Sequence, residues 1–134
     1  MRHLAWAAAV VLGWATLAAQ APSSDARNSG RQLFVTYCAS CHGSSARGNG
    51  PIADTLRVRP ADLTQLAKRN GALFPTAKTY RIIDGRDVGA HGNPDMPIWG
   101  DAFMRREGLN DAAVKARIEA ILRYLESIQE RAGH

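Results

Sequence analysis

The pentapeptide Cys38-Ala39-Ser40-Cys41-His42 constrains this chain more than any other stretch. Its two cysteines stand three positions apart and a histidine follows at once, which is the spacing used to attach a c-type haem. One helical turn brings both sulfurs to the same side of the backbone, where each can form a thioether with a porphyrin vinyl group. The histidine can then serve as the proximal iron ligand. Since the chain has 2 cysteines in all, we expect one covalent haem c, bound through Cys38 and Cys41 with His42 on the iron.

Other uses of the same five residues can be compared with haem attachment. A thioredoxin-like redox pair needs a βαβ context and an acidified thiol, and the sequence shows no such pattern. A structural zinc site needs four ligands, usually in two paired clusters, and no second Cys/His pair follows His42. A disulfide between Cys38 and Cys41 has compatible spacing and stays open as an alternative.

The first 21 residues have the three-part layout of a secretory signal peptide. Met1–His3 is basic, Leu4–Ala19 is apolar and uncharged, and Ala19-Gln20-Ala21 supplies small residues for a cleavage site. We expect cleavage after Ala21 and export to the periplasm, where haem is attached to such motifs in bacteria. The alternative is an uncleaved membrane anchor, although the apolar run is shorter than the roughly 20 residues that span a bilayer.

Length and charge indicate one small domain with a mildly basic surface. We expect residues 22–28 to be a flexible lead-in, because the segment is short and polar, and residues 29–134 to form one monohaem domain. The chain has 17 Lys+Arg against 12 Asp+Glu, for a net charge of +5. This charge is too mild to indicate nucleic acid, and it favours steering towards acidic partner proteins.

Hydrophobic spacing predicts an all-α fold with long loops and no strand of note. Ser29 has the pattern of a capping box, and the last helix carries an apolar stripe at helical spacing. The predicted helices are Gly30–Ala39, Asp62–Arg69, Thr76–Ile83 and a longest one from Asn110 or Asp111 to Ile128. The long loops between them, residues 43–60 and 86–100, are consistent with a chain that wraps a prosthetic group.

The second iron ligand has few candidates, and Met96 is favoured among them. Pro94 and Pro97 lie on either side of Met96 and restrict the backbone there, so that a thioether could be held in a set place. The other candidates are Met104, expected to pack, His91, expected in a loop, and His134 near the C-terminus. A thioether ligand favours ferrous iron and raises the potential relative to two histidines.

These segments together resemble the class I c-type cytochromes, in the small bacterial monohaem branch. The matching residues are Gly30, Leu33, Phe34 and Tyr37 before the haem motif, Gly43, Gly48, Gly50 and Pro51 after it, then Met96-Pro97-x-Trp99-Gly100 and Leu122-x-Tyr124-Leu125. The resemblance implies a cytochrome c fold of three to five helices around one haem. It covers most of residues 29–128. The segment 81–92 matches nothing diagnostic, which leaves the docking surface undefined.

The resemblance also implies roles for single residues. Gly30 would let the first and last helices cross closely, with Phe34 against Tyr124 and Leu125. Pro51 would offer its carbonyl to the Nδ1–H of His42. Trp99 would pack against the haem close to Met96. Arg57 and Arg59 would face the propionates if their loop folds beneath the haem.

Taken together, the sequence predicts a periplasmic electron carrier rather than an enzyme, working as a monomer or in transient complexes with a dehydrogenase or terminal oxidase. Two alternatives stay open. One is a c-type haem subunit of a larger oxidoreductase complex. The other is an open-site haem protein that binds small gases or peroxide, for which His91, Asp87 and Asp95 are the candidate acid/base groups.

Overall fold

The computed structural model describes residues 24–87 and 94–130, and the fold of these residues is all-α. Its five α-helices are α1 (Ser24–Tyr37), α2 (Ala39–His42), α3 (Thr76–Asp84), α4 (Trp99–Glu107) and α5 (Asp111–Ser127). Short 3-10 turns lie at Ala53–Thr55, Leu63–Gln65 and Lys68–Asn70. The predicted signal peptide, His91 and His134 fall outside the described residues. No helix within the described ranges has the length and apolar character needed to cross a membrane.

The crossing of α1 and α5 forms the centre of the core. A Cβ on Gly30 would run into the carbonyl oxygen of Ala120, so only glycine lets the two backbones approach this closely. One turn further along α1, the fully buried ring of Phe34 packs against Tyr124 with their centroids 5.3 Å apart. Both features confirm the expectation that the first and last helices cross at Gly30.

Helix α1 begins earlier than predicted. Ser24 and Asp25 are residue types that favour the first turn of a helix, and the helix runs from Ser24, so that Ser29 lies inside it. The prediction of a flexible lead-in over Pro22–Asn28 is therefore wrong for residues 24–28, and the prediction of a cap at Ser29 is wrong as well.

The predicted helix Asp62–Arg69 is replaced by two 3-10 turns. Asp62 caps the first turn as a helix start would, with its carboxylate accepting from the Thr64 N–H at 2.9 Å. The residues after α5 then form hydrogen bonds with backbone N–H and carbonyl groups that would bond to each other in an α-helix. The Gln129 side chain accepts from the Ala67 N–H and donates to the Leu63 carbonyl, each at 2.8 Å, and the Glu130 N–H donates to the Thr64 carbonyl.

Of helices α3, α4 and α5, two match the predictions and the third is longer than predicted. Helix α3 begins at Thr76 as expected, and α5 is capped by Asn110, whose side chain accepts from the Ala113 N–H. For helix α4 the sequence predicts only a helical turn over Ala102–Arg105, whereas the helix runs from Trp99 to Glu107. Its signals are present in the sequence, since Asp101 is in its first turn, Arg105 and Arg106 are in its last, and Gly108 follows with φ of 66°.

Candidate haem-binding site

A cavity of about 580 Å³ lies between the helices and the irregular segments. Proteins bind small molecules and cofactors in cavities of about 300–1,000 Å³, so the size fits a bound group. Most of its wall is apolar and is contributed by the α-helices and by the segments between them. The lining includes Phe34, Leu56, Val58, Leu63, Leu66, Ile82, Ile83, Ile121 and Leu125, together with Cys38, Cys41, His42, Arg59, Met96 and Trp99.

The two cysteines enter this cavity where α1 passes into α2. The Cys38 N–H donates to the Phe34 carbonyl at 2.8 Å and the His42 N–H to the Cys38 carbonyl at 2.9 Å, so the motif is wound as one helical turn. Both cysteines are free thiols. Burial raises the pKa of Cys38 to about 12, and the neighbouring Cys41 adds to the rise. A thioredoxin-like exchange needs the opposite, an acidified thiol.

His42 is oriented by the backbone of the following loop. Its Nδ1 lies 3.0 Å from the carbonyl oxygen of Ala61. Because a carbonyl can only accept, Nδ1 carries the proton and Nε2 is left with a free lone pair. Burial lowers the pKa of His42, and the bond to Ala61 opposes that shift. The imidazole is thus neutral at neutral pH and held in one tautomer, as a metal ligand requires.

The partner of His42 corrects one expectation. Pro51 is exposed and does not line the cavity, and the carbonyl bonded to His42 belongs to Ala61, next to Pro60. The loop reaches this position because residues 48–52 bond back onto α2, with the Gly50 N–H donating to the Cys41 carbonyl at 3.0 Å. A Cβ at Gly50 would collide with the backbone of Ser40 and Cys41. The sequence offered no signal for Ala61, since a backbone carbonyl does not depend on residue type.

Met96 lines the same cavity as His42, in the segment that leads into α4. Met104 does not line the cavity; its sulfur accepts from the Arg86 guanidinium at 3.0 Å and its side chain packs on the core. Of the two described methionines that the sequence raised as ligands, only Met96 therefore has its side chain at the cavity.

Trp99 also lines the cavity and is backed by an aromatic cluster. Its ring lies 5.5 Å from that of Tyr37 and 5.4 Å from that of Phe103, measured between centroids. The Tyr37 hydroxyl donates to the Glu107 carboxylate at 2.7 Å, and Glu107 is ion-paired with Arg117. The cluster joins α1, α4 and α5 directly behind the cavity wall.

Arg57 and Arg59, in the loop after α2, have different positions relative to the cavity. Arg59 lines the cavity. Arg57 does not, because its guanidinium binds the Asp95 carboxylate at 3.2 Å, which corrects the expectation that Arg57 faces the propionates. Lys78 and Arg81, on α3, line the cavity instead. Sequence reasoning missed them, although their three-residue spacing places them on one side of α3.

The donor set suits a covalently attached haem. Two free thiols on one helical turn, a neutral imidazole with one free nitrogen and a thioether all line one mostly apolar cavity. These are the groups that c-type haem attachment and His/Met ligation use. A helical fold built around such a site defines a class I c-type cytochrome.

The comparison with protein families gives the more particular assignment. The family model described as cytochrome c oxidase, cbb3-type, subunit III, matches residues 25–114. Because this match covers most of the chain, the protein belongs to that family of c-type cytochrome domains. No curated protein and no solved structure is similar enough to the chain to count as a match. A cytochrome c domain binds haem c and serves electron transfer rather than catalysis.

Proposed function

We propose that the protein is a one-electron carrier with a single haem c, attached through Cys38 and Cys41 and ligated by His42 and Met96. One observation supports this most strongly, which is that these four side chains line the same cavity. Haem c supplies reversible Fe(II)/Fe(III) exchange when bound, without making or breaking a bond in a substrate.

The chain's own residues provide a dry and fixed setting for this exchange. The Ala61 carbonyl holds the His42 ring in one tautomer, and the apolar lining from Ile83, Ile121 and Leu125 excludes water. Fixed ligands in a low-dielectric pocket limit the rearrangement that accompanies a change of charge. A thioether from Met96 would raise the potential relative to two histidines.

The setting we propose is the periplasm, because the first 21 residues have the pattern of an export signal. Its partners would be redox proteins, a dehydrogenase as donor or a terminal oxidase as acceptor. Removal of residues 1–21 takes Arg2 away and leaves a net charge of +4, which favours acidic docking surfaces. Electron-transfer partners meet through small interfaces and charge steering, so transient complexes of a monomer are expected.

A second candidate is favoured by the family description, which names a subunit of a cbb3-type oxidase. In that reading the domain passes electrons within a larger oxidoreductase complex. Size-exclusion chromatography of the native protein, extracted without harsh detergent, separates the two. A haem-containing peak at the size of one chain, no larger than the 14.5 kDa of the full-length sequence, supports the free carrier, and co-elution with an oxidase supports the subunit.

The ligation is tested by the visible spectrum of the oxidised protein. We expect the weak far-red band of a sulfur–iron bond in the wild type, its loss in Met96→Ala, and its retention in the matched control Met104→Leu. Carbon monoxide and cyanide should bind slowly at neutral pH. Fast binding to the wild type would instead indicate an open axial position.

A further inference from the structure

The segment that carries Met96 is attached to the rest of the fold through its neighbour Asp95. One oxygen of the Asp95 carboxylate accepts from the Arg57 backbone N–H at 3.1 Å. The other accepts from Nε and Nη2 of the Arg57 guanidinium at 3.3 and 3.2 Å. The same residue pair therefore makes three hydrogen bonds, one of which does not depend on the Arg57 side chain.

This pair connects two walls of the cavity that are 38 residues apart in the chain. Leu56 and Val58, on either side of Arg57, line the cavity, and so do Asp95 and Met96. Met96 and Pro97 make no backbone hydrogen bond to any other described residue. Among the described residues, the hydrogen bonds nearest to Met96 are therefore those of its neighbour Asp95, while Met96 itself packs against the core.

Exposure distinguishes this pair from an ordinary surface ion pair. The Asp95 side chain is 16% exposed, whereas that of Arg57 is 74% exposed. Exposed ion pairs contribute little because water competes for both partners. A mostly shielded carboxylate that also accepts a backbone N–H is held more firmly, since charge-assisted hydrogen bonds are the stronger kind.

We infer that Arg57 and Asp95 are positioning residues for Met96, holding its segment against the loop so that the thioether stays directed into the cavity. The inference rests on the proposed ligation by Met96. It assigns Arg57 a role that differs from the propionate contact expected from the sequence, and it gives Asp95 a structural role in place of a distal acid.

The test uses the intact haem-containing protein and two readouts that a merely structural role would not move together. The first is the far-red band of the oxidised protein during heating, and the second is the rate at which imidazole displaces the sixth ligand. In Asp95→Asn and Arg57→Ala we expect the band to vanish at lower temperature and imidazole to bind about tenfold faster, as loss of a charge-assisted bond implies. Arg57→Lys, which keeps the positive charge that Arg57→Ala removes, should lie between these variants and the wild type.

The matched control is Asp101→Asn on α4. Asp101 pairs with Arg105 at 3.1 Å, and both side chains are exposed. The substitution makes the same change of charge close to Met96 in sequence without touching the Arg57–Asp95 pair. We expect it to leave the band and the imidazole rate unchanged.

The outcomes separate this inference from the proposed ligation. A wild-type protein without the far-red band overturns ligation by Met96, and the positioning role with it. A wild type with the band, together with Asp95→Asn, Arg57→Ala and Arg57→Lys variants that bind imidazole at the wild-type rate, overturns the positioning role alone. Faster imidazole binding in these variants but not in Asp101→Asn supports it.

Discussion

Glycine at position 30 shows how one residue decides the geometry of the core. Its missing side chain lets the α1 backbone lie directly against the Ala120 carbonyl, and this contact sets how far Phe34 enters the interface with α5. The haem motif follows Phe34 on the same stretch of chain, so the placement of Cys38 depends on the crossing.

Replacing Gly30 by alanine should therefore destabilise the protein by about 1–3 kcal/mol, because the new methyl group forces the two helices apart. Thermal or denaturant unfolding of the haem-containing protein measures the change. Arg31→Ala, at the exposed neighbouring position on α1, should stay within about 0.5 kcal/mol of the wild type. Equal stability of Gly30→Ala and wild type would show that the helices are not in close contact at this point.

At the level of elements, the helices are joined by polar side chains as well as by the core. The Glu107 carboxylate at the end of α4 binds Arg117 of α5 and Tyr37 of α1. Arg117 also lies over the Phe103 ring at 4.9 Å. Three helices thus meet at one carboxylate beside the aromatic cluster that backs the cavity.

The charge of Glu107 makes this junction sensitive to acid. The hydrogen bond from Arg117, followed by that from Tyr37, lowers the pKa of Glu107 in the folded protein. Since the unfolded carboxyl has a pKa of about 4.3, its contribution to stability is complete above that pH and is lost as the pH falls through the lower folded value. Glu107→Gln should show a smaller loss of unfolding free energy on acidification than the wild type.

Denaturant unfolding at several pH values checks this expectation, with Glu126→Gln as control. Glu126 is an exposed residue near the end of α5, so this variant reports the general effect of removing a carboxylate. Parallel stability curves for Glu107→Gln and wild type between about pH 3 and 7 would contradict the account of the junction.

Gln129, just after α5, joins the C-terminal end of this helix to the segment 63–67. Its amide makes hydrogen bonds to the Ala67 N–H and to the carbonyls of Leu63 and Leu125. Gln129→Ala leaves partly buried backbone groups without partners, and we expect a loss of about 1–3 kcal/mol in denaturant unfolding. Glu126→Ala serves as the control, and equal losses in both variants would argue against a specific role for Gln129.

The predictions from sequence were most accurate where the type and spacing of a few residues are enough to determine their role. The Cys38–His42 spacing, the glycine at the helix crossing and the apolar stripe of α5 all have this property, and the structure places their residues as expected. They failed where the outcome depends on distant partners. The 3-10 turns after Asp62 depend on Gln129, and the roles of Ala61 and Arg57 depend on how a loop folds back.

For the molecule as a whole, the cavity is the dominant feature. About 580 Å³ lies among core side chains of a small domain, which can bury only part of its surface. Without a bound group, apolar lining residues such as Val58 and Ile82, which are 54% and 37% exposed, would be in contact with water. The fold should consequently depend on the haem.

A variant with Cys38→Ser and Cys41→Ser, freed of any non-covalent haem, should lose most of its helical circular dichroism and its cooperative unfolding. The wild-type protein, with haem attached, should show both. A haem-free variant that keeps wild-type helicity and a cooperative transition would mean that the chain packs its core without the cofactor.

The central claim is that one haem is covalently attached to this chain through Cys38 and Cys41 and held by His42 and Met96. Reduced and oxidised visible spectra of the native protein, recorded before and after acid–acetone extraction, test it most directly. We predict low-spin c-type spectra in both states, a far-red band in the oxidised state, and pigment that stays with the protein after extraction. Pigment that passes into the acetone, or a protein with no haem spectrum at all, would contradict the account.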